Sequence, residues 1–82
     1  MPTEPQIGPL LEYVVQHLVD EPEAVRVNEV EGRRLTVFEI SVADKDRGKV
    51  IGKQGRIANA IRTVAKAAAT QTNQHVAVEI IT

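Results

Sequence analysis

The chain has 82 residues, a formal net charge of −1, 43% hydrophobic and 26% charged residues, and no cysteine. Its length suits one domain with one compact core, and its composition is that of an ordinary soluble protein. The missing cysteines exclude a disulfide framework and a thiolate metal site, and no stretch reaches the roughly 18 uninterrupted apolar residues of a membrane span.

The first predicted element is a helix, because apolar residues recur at helical spacing. They are Ile7, Leu10, Leu11, Val14 and Leu18. Pro9 suits the first turn, with Gln6 or Gly8 near the N-cap, and the run 19–22 ends the helix because the residue before a proline is pushed away from helical angles. Residues 1–6 are expected to form a flexible tail. They lack the features of a signal peptide, so we expect a cytoplasmic protein.

Two strands joined by a hairpin follow this helix. Residues 25–30 begin with alternating apolar and polar side chains, and residues 31–33 suit a turn. Residues 34–42 place Phe38, Ile40 and Val42 on one face, which predicts a half-buried strand.

Two helices joined by a short glycine-containing turn come next. The first spans about residues 45–51, with Asp44 or Asp46 as its N-cap and Gly52 ending it in a left-handed conformation. The second begins at Gly55. Its predicted apolar stripe consists of Ile57, Ala60, Ile61, Val64 and Ala68.

The order of these elements predicts the fold class. A loop at 70–74 and a strand at 75–81 complete the order α-β-β-α-α-β. We predict one α+β domain over residues 1–82. Its three-stranded, mainly antiparallel sheet would carry three helices on one face, because that arrangement buries every apolar stripe.

Positive charge is concentrated in one part of the chain. Residues 44–66 carry seven cations and two anions, a net +5, whereas the remainder carries three cations and nine anions, a net −6. A local cationic surface on a mildly acidic domain indicates an anionic partner bound at one place. A solvent-exposed helix face is the alternative explanation, and we assign Arg62 and Lys66 to such a face. Whether these two residues contact a ligand stays open.

The segment 48–56, GKVIGKQGR, combines three glycines with cations at a junction of two helices. A Walker A loop needs four residues between its glycines, but only three separate Gly48 from Gly52. Moreover, Gln54 stands where a magnesium-binding hydroxyl is required. A dinucleotide fingerprint is excluded because Val50 occupies the position of its second glycine.

A Gly-x-x-Gly turn between two helices, Gly52–Gly55, does fit the spacing. Because glycines have no side chains, a sugar–phosphate backbone can come close to the main chain of this turn. The N–H groups at the start of the second helix then point at the phosphates. Lys49, Lys53 and Arg56 add cations around the same point. A simple helix–turn–helix corner is the competing explanation, although a single glycine suffices to end a helix.

The segment 50–57, VIGKQGRI, resembles the core signature of a KH RNA-binding domain, and the element order resembles the type II, prokaryotic, arrangement. A resemblance to small stand-alone bacterial KH proteins of the KhpA (YlqC) family extends over nearly the whole chain, from residues 10–14 to 76–80. It implies that single-stranded RNA is clamped by the turn 52–55, with the bases over an apolar groove. The RNA-binding residues implied are Lys49, Ile51, Gly52, Lys53, Gln54, Gly55, Arg56 and Ile57. Val50 is a further groove candidate, and some of these apolar residues must also serve the core.

The resemblance also implies partners and a role. Members of this family self-associate and pair with a second KH-containing RNA-binding protein of the Jag (KhpB) type, which implies a post-transcriptional RNA chaperone or regulator. The alternative is a protein-interaction module that mainly forms homodimers or heterodimers with a larger RNA-binding partner. The alanine-rich second helix and an exposed Ala77/Ile81 face suit that alternative.

Catalytic and cofactor signals are missing from the sequence. No Ser/His/Asp or paired-carboxylate cluster lies near the glycine turn, and His17 and His75 stand apart from a plausible ligand set. We expect no enzymatic activity, metal, cofactor or small-molecule substrate. Tyr13 and Phe38 are too few to form an aromatic platform for bases, so we expect modest RNA affinity from one domain.

Overall fold

The helices and strands follow one another in the predicted order. A computed structural model describes residues 6–81. Its elements are α1 (Ile7–Gln16), β1 (Arg26–Glu31), β2 (Thr36–Ser41), α2 (Arg47–Ile51), α3 (Arg56–Thr70) and β3 (Val76–Ile80), with single 3₁₀ turns at Pro22–Ala24, Asp44–Asp46 and Lys53–Gly55. The tail predicted at 1–6 lies outside the described residues except for Gln6, which is the N-cap of α1. None of the described helices is long and apolar enough to cross a membrane.

The three strands form one mixed sheet in the order β1-β2-β3. β1 pairs antiparallel with β2, with Val27 opposite Ile40, whereas β2 pairs parallel with β3, with Phe38 opposite Val78. The expectation of a mainly antiparallel sheet is therefore corrected for β3. The crossover through α2 and α3 returns the chain to the end of the sheet at which β2 began, so β3 runs parallel to β2.

The core lies between one face of this sheet and the helices. Its buried apolar side chains are Ile7, Leu11 and Val15 of α1, Val25 just before β1, Phe38 and Ile40 of β2, Val50 of α2, Ile61, Ala65 and Ala69 of α3, and Val76 and Val78 of β3. Alternate residues of β2 and β3 face the helices, as the two-residue period predicted. The α+β architecture with three helices on one face is thus confirmed.

The buried face of α3 is rotated from the predicted one. Ala58, Ile61, Ala65 and Ala69 are buried, whereas Val64 is 40% exposed. The predicted stripe member Ala60 is exposed as well. Side-chain size explains this difference. The buried face consists mostly of alanines, which let the helix lie closer to the sheet than branched side chains would.

α1 is shorter than predicted. It ends at Gln16, where His17 N–H donates to Val14 O, rather than continuing into the run 19–22. The residues that follow form a connection whose amides turn toward Asp46, at the start of α2. The amides of Asp20 and Glu21 are therefore bound to Asp46 instead of extending α1 toward Pro22.

Candidate nucleic-acid interface

The turn Gly52–Gly55 joins α2 to α3 through backbone conformations that favour glycine. Gly52 has φ +76° and ψ 173°, and its N–H donates to Gly48 O at 2.9 Å at the end of α2. Gly55 has φ +74° and ψ 15°, immediately before α3, and its N–H donates to Gly52 O at 3.2 Å. The predicted roles of the two glycines, ending one helix and opening the next, are confirmed. Only Gly55 adopts a left-handed helical pair of angles, however, because ψ of Gly52 is extended.

The two glycines have different surroundings. A Cβ atom added at Gly52 would lie 2.7 Å from Ile57 Cγ1, closer than real Cβ contacts allow. A Cβ atom added at Gly55 would meet nothing within 4 Å. Gly52 therefore allows α2 to pack against the first turn of α3, whereas Gly55 leaves bare backbone on the surface.

The tip of the turn carries backbone donors with no partner in the described chain. Among the hydrogen bonds of residues 6–81, none uses the N–H groups of Lys53 or Gln54. Gln54 is itself in the left-handed region, at φ +56° and ψ 25°, and both side chains are exposed. Free amides at the start of a helix, where the helix dipole is positive, attract anions.

The cations near this turn are not equivalent. Lys49 Nζ lies 3.1 Å from Asp20 Oδ2 and 3.6 Å from Asp46 Oδ1. By contrast, Lys53 and Arg56 are exposed and form no ion pair with another residue of 6–81. The assignment of Lys49 to RNA binding stays a prediction, but its ammonium group is already neutralised by carboxylates. The uncompensated charge at the turn comes from Lys53 and Arg56.

Ion pairing also perturbs Lys49 itself. The hydrogen bond to Asp20 and its charge, together with the contact with Asp46, raise the pKa of Lys49 above its usual value although burial opposes the rise. Lys49 therefore stays charged at neutral pH and links α2 to the connection after α1.

Asp46 occupies the N-cap position of α2, as predicted, but its side chain acts elsewhere. Its side chain makes no capping hydrogen bond at α2. It is completely buried and accepts the N–H groups of Asp20 at 3.2 Å and Glu21 at 3.0 Å. Asp44, the alternative cap, instead pairs with Arg47. Sequence reasoning missed this link because the two amides lie 25 and 26 residues earlier in the chain.

The ionisation of Asp46 follows from these contacts. Burial by itself raises the pKa of Asp46, but the N–H donors of Glu21 and Asp20 and the charges of Lys49 and Lys45 outweigh it. The pKa of Asp46 therefore lies below its usual value. A charged carboxylate thus holds the start of α2, and with it the turn that follows α2, against the connection after α1.

The apolar candidates divide between the core and the surface near the turn. Val50 is fully buried, so it belongs to the core and not to an open groove. Ile51 and Ile57 are half-buried and flank the turn in the sequence. Both leave some apolar surface beside the turn, where a base can make aliphatic contacts.

Arg62 is attached to the sheet. Its Nε donates to Val78 O on β3 at 3.2 Å, and its Nη1 donates to Asn59 Oδ1 at 3.1 Å. The assignment of Arg62 to a solvated face is therefore corrected, because its guanidinium group bridges α3 and β3. Lys66 is exposed, as expected for that face.

The histidines make no metal cluster within residues 6–81. No group of three or more His, Cys, Asp or Glu residues lies together there. His17 Nδ1 lies 2.8 Å from Tyr13 O, and its ring centroid lies 4.3 Å from that of Tyr13. His17 thus satisfies a local hydrogen bond on the surface of the α1 region.

Comparisons with known proteins place the chain in a family. A family model described as "KhpA/KhpB, KH domain" matches residues 9–80. A protein named RNA-binding protein KhpA from Clostridium perfringens is 58% identical over 72 residues, which cover 88% of this chain and 96% of that protein. A protein of the same name from Caldanaerobacter subterraneus subsp. tengcongensis is 53% identical over 75 residues, which cover 92% and 100%.

The fold has a counterpart among solved structures. A crystal structure of a variant of Aquifex aeolicus Era bound to GDP.AlF4− matches 98% of this chain with a TM-score of 0.64 and 21% sequence identity. The chain spans 31% of that Era chain, so the likeness concerns the fold of one part of it. The family match over 9–80 and the close relatives together show that this chain belongs to the KhpA/KhpB KH-domain family.

Proposed function

We propose that this chain is a non-catalytic, cytoplasmic RNA-binding protein that clamps the backbone of single-stranded RNA at the turn 52–55. One observation carries the proposal. The turn combines bare backbone at Gly55, two N–H groups without partners in 6–81 and two exposed cations that no described carboxylate pairs, in a chain of a KH family. Its close relatives are named RNA-binding proteins, which supports RNA as the anion.

The clamp follows from the geometry of the turn. A phosphate can approach the main chain at Gly55, accept the N–H groups of Lys53 and Gln54, and lie at the positive end of α3. Lys53 and Arg56 add charge that no described carboxylate cancels. Bases directed away from the phosphates reach the apolar surface of Ile51 and Ile57. The turn would thus hold the phosphates, and the aliphatic side chains would contact the bases. Such a division suits the recognition of unpaired bases.

The proposal extends to the cellular role. We infer a post-transcriptional RNA chaperone or regulator that self-associates and acts with a second KH-containing protein of the Jag (KhpB) type. The matching family model covers KH domains of both KhpA and KhpB. A single domain that clamps about four nucleotides without an aromatic platform gains affinity when a linked second domain raises the effective concentration.

The clamp is tested by Lys53→Asp combined with Gln54→Asp. The aspartates place two anions at the tip and remove one cation, so we expect RNA affinity to fall about tenfold or more at about 0.1 M salt. Aspartate tolerates left-handed angles, so the change at Gln54 should not disturb the turn. Fluorescence anisotropy with a labelled oligouridylate measures the affinity.

The matched control for this test is Gln6→Asp combined with Arg26→Asp. This pair changes the net charge by the same amount at two exposed residues outside the turn, and an aspartate at the N-cap of α1 is a favourable substitution. We expect the control to keep most of the affinity. Wild-type affinity in a folded K53D/Q54D protein would contradict the clamp.

The second candidate function is a protein-interaction module, which one feature of the sheet favours. The face of the sheet opposite the helices carries a row of apolar residues in register, Val30, Val37 and Ala77. Val30 is 44% exposed, and the other two are half-buried. Light scattering with and without RNA distinguishes the two functions. If K53D/Q54D abolishes self-association and isolated monomers bind no RNA, the interaction module is the better description.

A further inference from the structure

The ten cationic side chains of this chain divide into two classes by their contacts. Five have an acceptor in the structure, either a carboxylate or a backbone carbonyl: Lys45, Arg47, Lys49, Arg26 and Arg62. The other five have none among residues 6–81: Arg33, Arg34, Lys53, Arg56 and Lys66. The proposed clamp uses Lys53 and Arg56. The remaining three cations have no role in it.

Those three cations line two depressions that share part of their lining. Arg33 and Arg34 line a depression beside the β1–β2 hairpin, and Lys66 lines an adjoining one at the end of α3. Leu35 and residues 73–75 line both depressions. We call the combined feature the far groove. No described residue that lines it is acidic.

The hairpin geometry does not require the two arginines. They occupy the centre of a turn that Gly32 N–H closes by donating to Leu35 O at 2.9 Å. Glycine, asparagine, aspartate and proline are the residues that stabilise such positions, and neither arginine has the positive φ that would explain an unusual choice. Both side chains are exposed, and Glu31, the neighbouring acidic residue, forms no ion pair with either. The fold therefore leaves two adjacent like charges unexplained.

The C-terminal carbonyl groups of α3 do not use Lys66. Unpaired carbonyls at a helix end attract cations. Here the carbonyls of Ala68, Ala69 and Thr70 already accept N–H groups from the loop 71–74. The ammonium group of Lys66 is thus left available to an external anion.

An exposed polar stripe on α3 connects the far groove with the turn 52–55. Its members recur every three or four residues along one face of the helix. They are Arg56, Asn59, Thr63, Lys66 and Thr70, all exposed. α3 contains no acidic residue, and its 15 residues span about 22 Å. The stripe therefore connects the cations of the turn with those of the far groove, and no carboxylate of α3 lies along it.

We propose that the far groove binds phosphates of the RNA strand that the turn 52–55 clamps, several nucleotides farther along that strand. This inference rests on the proposed RNA-binding function and adds a second contact to it. Charge complementarity identifies the occupant as a polyanion, and the continuous stripe on α3 favours the same RNA strand. The proposal predicts that RNA longer than the clamp length of about four nucleotides contacts the far groove and that RNA of clamp length does not.

The test compares two RNA lengths on wild-type protein and on Arg33→Ala combined with Arg34→Ala. The probes are labelled oligouridylates of about 4 nucleotides, the length that a KH domain clamps, and of about 16 nucleotides. For the double variant we expect unchanged affinity for the short probe and about three- to tenfold weaker binding of the long one. The plot of log K against log salt for the long probe should become shallower. The magnitude of its negative slope should decrease by about 0.7 for each phosphate that the variant no longer binds. Lys66→Ala should act in the same direction.

Two controls accompany these measurements. Arg26→Ala combined with Lys45→Ala removes the same amount of charge outside the far groove and should leave both affinities unchanged. Thermal unfolding shows that each variant is folded, which we expect because the hairpin arginines are exposed.

Three outcomes would overturn the inference. One is that R33A/R34A binds the long probe as tightly as wild type. Another is that both double variants weaken both probes equally, which indicates a general electrostatic field and no site. The third is that R33A/R34A changes only the oligomeric mass, which indicates a protein-binding surface. Failure of the proposed clamp looks different, because K53D/Q54D would then bind the short probe normally.

Discussion

At the scale of single residues, the turn 52–55 requires two glycines for two different reasons. Gly52 combines φ +76° with an extended ψ, a region that is almost restricted to glycine, and Ile57 fills the space that a side chain would need. Gly55 is in the left-handed region but faces open space. The structure of the turn therefore depends on Gly52 more than on Gly55, whereas access of a ligand depends on Gly55.

We expect Gly52→Ala to destabilise the protein more than Gly55→Ala. At Gly55 the cost is that of a left-handed alanine, about 1–2 kcal/mol. At Gly52 backbone strain and the clash with Ile57 add together, which gives at least about 2 kcal/mol and a larger loss than at Gly55. Urea denaturation of both variants measures the difference in the free energy of unfolding. Equal losses would show that Ile57 moves aside freely.

At the scale of elements, a buried charge connects segments that are distant in sequence. Asp46 accepts two amides from the connection after α1, and Lys49 pairs with Asp20 in that connection and with Asp46. Two N–H groups and an ammonium group thus surround a carboxylate that has no access to solvent. A buried carboxylate with its donors in place is costly to disrupt, because each donor would lose its partner.

Asp46→Asn should lower the melting temperature by about 5–10 °C near pH 7, because a neutral amide replaces the charged acceptor. The pKa of Asp46 is lowered in the folded state. Its contribution is therefore fully present above the unfolded pKa of about 3.9 and is lost as pH falls through the lower folded value.

Melting curves of wild type and D46N between about pH 7 and pH 2 should accordingly converge at the acid end. Asp44→Asn is the matched control, since its pair with Arg47 is largely exposed and such pairs contribute little. A difference between wild type and D46N that stays constant down to the lowest pH would contradict the charged state assigned to Asp46.

At the scale of the whole molecule, the fold separates its surfaces. Packing all three helices on one face of the sheet leaves the opposite face to solvent within the described chain. That face carries the row Val30, Val37 and Ala77. The turn 52–55 belongs instead to the helical layer. RNA binding and self-association can therefore use different surfaces, and a substitution can affect one without the other.

Val30→Glu tests this separation, since it places a charge in the exposed apolar row. If self-association uses the open sheet face, light scattering should show the mass of the variant falling toward that of one chain. Affinity for a clamp-length RNA of about 4 nucleotides should stay within about twofold of wild type, because the turn is unchanged. K53D/Q54D should instead lower the RNA affinity and leave the mass of the protein unchanged. Loss of RNA binding in V30E together with loss of mass would mean that the two surfaces are coupled.

Local patterns predicted the elements well and their packing less well. The period-two alternation at Phe38 and Ile40 and the glycines at 52 and 55 were interpreted correctly, because strand alternation and helix ends are set by neighbouring residues. The face of α3 and the direction of β3 were not, because each depends on how distant elements pack. The N-cap position of Asp46 was predicted correctly but the partners of its side chain were not, as these are amides about 25 residues away.

The sequence by itself determined the order of the elements, the glycine turn and the resemblance to a KH domain, since spacing and periodicity are properties of short stretches. Only the tertiary structure decided which cations remain uncompensated. Lys49 meets Asp20 and Asp46, whereas Lys53 and Arg56 meet no described carboxylate. It also placed the hairpin arginines and Lys66 in two depressions that share Leu35 and residues 73–75. Ion pairing is a matter of distances in space, and the fold sets those distances.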